Sequence, residues 1–170
     1  MQYRKFSDLG WDVSEIGLGC WAIGSEWGNV SAADAREVLK TSLDKGINFF
    51  DTADVYGDGR SEKFVGELIK STSEKIFVAT KSGRRLNPHS PEGYNLNNIE
   101  EFIDRSLINL GVDCIDLLQL HCPPSEIYPK KETYEMMDEI VKLGKIANYG
   151  VSVEKVSEAM DAIQFPNVKS

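Results

Sequence analysis

Residues 46–66 constrain the fold more than any other stretch of the chain. Ile47, Phe49 and Phe50 make a short apolar run that stops at Asp51, the pattern of a buried strand. Gly57 and Gly59 then impose a loop. Ser61 is placed to cap a helix whose apolar positions are Phe64, Val65, Leu68 and Ile69. The order is strand, polar loop, helix. Asp51 stands at the carboxyl end of the strand and Tyr56 on the loop beyond it. In α/β folds that end of a sheet is where ligands bind.

The same unit recurs along the chain. Residues 3–7 and 12–14 flank a Leu9-Gly10 turn and read as a hairpin. Residues 16–20 are a short strand. Gly17-Leu18-Gly19-Cys20-Trp21-Ala22 spells a dinucleotide fingerprint, but that motif opens a helix directly, and here the next helix starts only near Ser31. That helix follows a loose capping box at Ser31 and Asp34, presents Ala35, Val38, Leu39, Ser42 and Leu43, and ends at Gly46. Strands over residues 75–81, 115–121 and 146–152 alternate with three further helices. Those helices are marked by Ile99, Phe102, Ile103, Leu107 and Leu110, then Tyr134, Met137, Ile140 and Val141, then Val156, Ala159, Met160 and Ile163. Residues 83–95 form a long loop, of the kind that is usually functional. Residues 165–170 read as the approach to a sixth strand. Five strand–helix units in strict alternation imply parallel strands with helices outside. On length alone, the default is a five-stranded open sheet.

Composition narrows the function classes. A net charge of −8 argues against a nucleic-acid partner, which needs a basic face. No apolar run approaches the ~20 residues of a membrane span, and the polar first residues lack a signal-peptide core. Cys20, Cys114 and Cys122 are odd in number and far apart, as expected of reduced thiols in a cytoplasmic protein. His89, His121 and Cys122 have no zinc-ligand spacing, so no metal is expected.

Asp51-Thr52-Ala53-Asp54-Val55-Tyr56-Gly57, followed by Ser61-Glu62 and Gly66, resembles the signature segment of the aldo-keto reductase family. The likeness continues through Ala79-Thr80-Lys81, Leu117-Leu118-Gln119-Leu120-His121 and Gly150-Val151-Ser152, in the family's order. The resemblance implies a (β/α)8 barrel, of which this chain holds the first five βα units and the start of a sixth strand. Residues 1–14 are then the hairpin that closes the barrel bottom, and residues 15–170 the βα units of one domain. It also implies an oxidoreductase that transfers hydride between NADP(H), or NAD(H), and an aldehyde or ketone.

By resemblance the catalytic residues are Asp51, Tyr56, Lys81 and His121, and Cys20, Trp21, Asp51 and Ser152 lie beside the cofactor. The chemistry suits carbonyl reduction. A free tyrosine holds its proton at neutral pH, with a pKa of ~10. A lysine ammonium beside it favours the phenolate and makes it a better acid. An aspartate holds that ammonium in place, and a histidine orients the substrate oxygen. Taken singly, each residue has a plainer reading. Asp51 fits a turn or helix cap, Tyr56 an ordinary loop aromatic, Lys81 a strand-end lysine reaching water, His121 a satisfied buried histidine, and Ser152 a cap for the next helix. It is the four together, at the family's offsets, that point to catalysis.

Two departures stand out. Val153 follows Ser152 where many members of the family have asparagine. The strands after which barrels usually place their phosphate site, seven and eight, are absent. An incomplete barrel is therefore expected to bind cofactor weakly. It is also expected to self-associate through two open edges, residues 16–20 and residues 146–152 or Val168, with Phe49, Phe77 and Leu117 short of a covering wall. Two other readings are a nucleotide-sensing regulatory protein resembling potassium-channel β subunits and a self-sufficient open sheet with a binding role. His121 favours the enzyme over the first, and strand order decides the second.

Overall fold

The structure is a computed structural model that describes residues 1–6, 9–24 and 28–170. The described residues form seven strands: β1 (Tyr3–Phe6), β2 (Trp11–Ser14), β3 (Leu18–Gly19), β4 (Phe49–Asp51), β5 (Phe77–Ser82), β6 (Leu117–His121) and β7 (Tyr149–Ser152). Five helices alternate with the last five strands: α1 (Ala32–Asp44), α2 (Arg60–Ser71), α3 (Leu96–Leu110), α4 (Lys131–Lys142) and α5 (Val156–Ala162). β1 and β2 pair antiparallel as the expected hairpin, whose Ser7 lies outside the described residues.

The sheet has the order β3-β4-β5-β6-β7, and every pairing is parallel. This order excludes the doubly wound open sheet. Such a sheet reverses its strand order once, which puts helices on both faces. Here each crossover moves in one direction, so right-handed connections leave every helix on one face. Phe50, Val78, Leu118, Leu120, Tyr149 and Val151 point to that face and pack with Leu39, Val65, Ile99, Ile103, Met137 and Ile140 in one core. The chain is five units of an α/β barrel. Lys169 N donates to Tyr149 O and Val151 N to Ser170 O, both at 2.9 Å, so the start of the sixth strand pairs with β7 as expected.

The opposite face is the barrel interior, carrying Phe49, Asp51, Phe77, Lys81, Leu117, His121 and Ser152 by the period of two. The hairpin closes its lower end. Trp11 stacks on Phe77 at 4.6 Å and Phe6 on Phe49 at 5.6 Å. Asn48 locks the hairpin to β4, donating from Nδ2 to Asp12 O and accepting from Ser14 N. Phe77 is consequently buried and Phe49 half-buried, and Leu117 is buried as well. The apolar interior is better covered than the sequence alone suggests.

Several helix details differ from the sequence reading. α2 begins at Arg60, with the left-handed Gly59 at its N-cap, so Ser61 lies inside the first turn and caps nothing. Val38 is exposed. On α5 and at its C-cap the apolar residues Val156, Met160 and Ile163 face solvent, and Glu158 and Ala162 are buried instead. The Glu158 carboxylate sets that rotation by accepting the Glu154 and Lys155 amides and the Ser125 hydroxyl. Glu158 therefore does the capping expected of Ser152.

Candidate active site

Parallel strands put their carboxyl ends at one mouth, and strand alternation decides what points into it. Asp51 closes β4, Lys81 lies near the end of β5, and His121 and Ser152 close β6 and β7 as register partners. Lys81 Nζ donates to Asp51 Oδ1 at 2.6 Å and to Thr52 O at 2.9 Å. The lysine side chain is only 8% exposed, so it does not reach bulk water as a plain strand-end lysine would.

Tyr56 enters from the loop after β4. The Lys81 ammonium is 5.2 Å from its ring centroid. The His121 ring meets the tyrosine edge-on at 5.8 Å and 85°, and Trp21 stacks on it at 6.2 Å. Asp51, Tyr56, Lys81 and His121 are thus brought together, with Trp21 at their rim. The mouth holds its loops by close backbone approach. Gly57 has φ +59°, and a Cβ there would lie 2.3 Å from Gly24 O. Ser61 Oγ donates to Cys20 O at 2.9 Å and accepts from Thr52 Oγ1, tying the same two loops from below.

Burial, reinforced by the charges of Lys81, Arg84 and His89, pushes the His121 pKa down to about 3. Its imidazole is therefore neutral at physiological pH and offers one N–H donor. Its Nδ1 is buried without a hydrogen-bond partner among the described residues. Ser152 is half-buried, with its hydroxyl 3.3 Å from Cys122 Sγ. Cys20 does not join the mouth. It is fully buried in the core, its thiol directed to Leu18 O and pushed up to about 12 by burial and then Asp51. The described residues contain no group of three His, Cys, Asp or Glu able to hold a metal ion, and no helix long and apolar enough to cross a membrane.

Sequence reasoning missed Asp54. It is fully buried, and among the described residues neither carboxylate oxygen has a well-formed hydrogen bond, the Val55 amide giving it only weak support. Its pKa rises to about 7, chiefly through burial and the neighbouring Glu62. The available signal was an acidic residue midway between Asp51 and Tyr56, inside an otherwise small and buried turn.

The model of the Aldo/keto reductase family matches residues 15–169. Aldo-keto reductase YhdN of Bacillus subtilis is 38% identical over 96% of this chain and 50% of its own length. Aldo-keto reductase yakc [NADP(+)] of Schizosaccharomyces pombe is 37% identical over 82% of this chain and 42% of its own. A probable voltage-gated potassium channel subunit beta of Arabidopsis thaliana is 30% identical over 95% of this chain and 50% of its own. Among solved structures, the holo form of aldo-keto reductase AKR11C1 from Bacillus halodurans superposes with a TM-score of 0.84 at 32% identity, over 99% of this chain and 55% of that one. The chain spans about half the length of the curated relatives it matches.

Proposed function

Because this chain belongs to the aldo/keto reductase family, we propose that it carries the catalytic residues of an NADP(H)-dependent reductase of aldehydes or ketones, with Tyr56 as proton donor. The observation that carries the reading is the buried Lys81–Asp51 pair beneath the Tyr56 ring, with His121 edge-on beside it. Residues 1–170 are, on this reading, the N-terminal part of a single barrel domain.

The mouth fits a nicotinamide. Trp21 offers an exposed aromatic wall, while Asp51 and Ser152 offer half-exposed polar groups for a carboxamide. The unpartnered Nδ1 of His121 marks a buried polar position that a substrate or cofactor group would satisfy. Bound there, the reduced cofactor supplies hydride to a carbonyl carbon. Neutral His121 donates a hydrogen bond to the carbonyl oxygen and fixes its direction. Tyr56 gives its phenolic proton to that oxygen, completing the alcohol. The Lys81 ammonium stabilises the phenolate left behind, and Asp51 and Thr52 O hold the ammonium in place. The loops expected to bind the cofactor phosphates follow the seventh and eighth strands of a complete barrel, of which this chain holds the first five, so the chain alone is proposed to bind NADP(H) weakly. Three unpaired thiols accord with a reducing, cytoplasmic setting.

The test is Tyr56→Phe in a complete barrel carrying this chain. Steady-state turnover of an aldehyde should fall by about 10²–10⁴, the usual contribution of a general acid, while NADP(H) affinity is unchanged. Full turnover in that variant would remove Tyr56 from the mechanism. The regulatory reading, raised by the channel-subunit relative, is second because His121 completes the catalytic set.

A further inference from the structure

Beside the Tyr56 site lies a separate polar cavity of about 440 Å³. Arg84 and His89 reach it from the loop after β5, Cys122 and Ser125 from the segment after β6, and Glu154 and Lys155 from the loop after β7. It adjoins the carbonyl site directly. Cys122 follows His121 in sequence, and its thiol touches the Ser152 hydroxyl. The charge of Arg84 acts on the His121 ring.

The charges around this cavity are unevenly committed. Glu158 is fully engaged with two backbone amides, the Ser125 hydroxyl and the Lys155 ammonium, so that acid and that lysine neutralise each other. His89 is bonded to the Tyr94 hydroxyl, and burial and then Arg84 hold its pKa down, so it adds no charge at neutral pH. Among the described residues Arg84 has one carboxylate partner, Glu154 at 2.8 Å, with side chains 43% and 67% exposed, and it also contacts the Cys122 thiol. So exposed a pair contributes little and exchanges readily. A guanidinium fork matches a carboxylate through two parallel hydrogen bonds.

We propose that this cavity is an anion subsite for the substrate: Arg84 exchanges Glu154 for a carboxylate on the carbonyl compound, making keto acids or aldehyde acids the preferred class. The inference rests on the reading of Asp51, Tyr56, Lys81 and His121 given above, because theirs is the carbonyl site it adjoins. A monoanion fits better than a phosphate dianion, since the released Glu154 carboxylate stays on the rim.

The experiment is an NMR titration of the labelled 170-residue chain with 4-oxopentanoate, 2-pentanone or inorganic phosphate, following the Cys122 and Glu154 amides. The keto acid should shift these signals saturably, and the neutral ketone should not at the same concentration. Arg84→Gln should weaken keto-acid binding by roughly tenfold or more, the scale of a lost charge-assisted hydrogen bond. Glu154→Gln should strengthen it several-fold by removing the competitor. Both positions are exposed, and an unchanged amide spectrum elsewhere verifies the fold. Equal binding of ketone and keto acid, phosphate binding as tight as the keto acid, or weaker binding in Glu154→Gln would each overturn the subsite. The readout is binding, so the result is independent of the turnover test on Tyr56.

Discussion

Replacing Asp54 by asparagine should stabilise this protein at neutral pH and leave it unchanged in acid. Asp54 lies three residues after Asp51 and two before Tyr56, fully buried, its amide donating to Lys81 O. Burial and then the Glu62 carboxylate raise its pKa from 3.8 to about 7, against the opposing pull of Arg85, Arg105 and the Val55 amide. Between those two values the folded chain holds a proton that the unfolded chain has released. The contribution of this group to stability is therefore greatest below pH 4 and is lost as the pH rises towards 7. At about 1.4 kcal/mol per pH unit, the loss by pH 7 is about 3–4 kcal/mol as an upper bound. Asparagine mimics the protonated acid and removes that slope.

His121 works in the opposite sense. Its folded pKa of about 3 lies below the ordinary histidine value of 6.5. The unfolded chain therefore takes the extra proton between those values, and stability falls as the pH drops through them. In the natural chain the two slopes largely cancel between pH 4 and 6.5. In Asp54→Asn the histidine slope stands alone. Urea unfolding at pH 4, 5, 6, 7 and 8 reads both effects from the midpoint at constant m-value. If Asp54→Asn is destabilised by the same amount at pH 4 and pH 7, the carboxyl is ionised and paired in the fold, and the reasoning fails.

Two packing predictions follow from the mouth and the barrel bottom. Gly57→Ala combines a left-handed backbone with a Cβ driven into Gly24 O; it should cost about 2 kcal/mol or more in chemical denaturation, and it should lower turnover in a complete barrel by displacing Tyr56. Trp11→Ala removes the ring stacked on Phe77 at 4.6 Å; a loss of about 2–4 kcal/mol is expected in the same assay, and a change within 0.5 kcal/mol would show that the hairpin does not cover the interior.

The sequence by itself determined the alternation of strands and helices, and with it the parallel sheet. The apolar runs and the glycine stops are local signals that act over one or two turns of chain. It also placed Asp51, Lys81 and His121 at one mouth, though it put Cys20 there too. Asp51, Lys81 and His121 each close an apolar strand, and parallel strands bring their carboxyl ends together wherever the sheet goes. Tertiary structure alone decided the rest, because it depends on groups distant in sequence. Strand order, which separates barrel from open sheet, depends on which strands pair. Cys20 and Trp21 are neighbours in the sequence, yet one enters the core and the other the mouth, because the pleat and the Ser61 tie turn them apart. Ser61 and Ser152 both look like caps in the sequence, but one is held by the loop after β3 and the other is pre-empted by Glu158. The unusual proton affinities of Asp54 and His121 arise only when burial removes their water and folding sets Glu62 or Lys81 beside them.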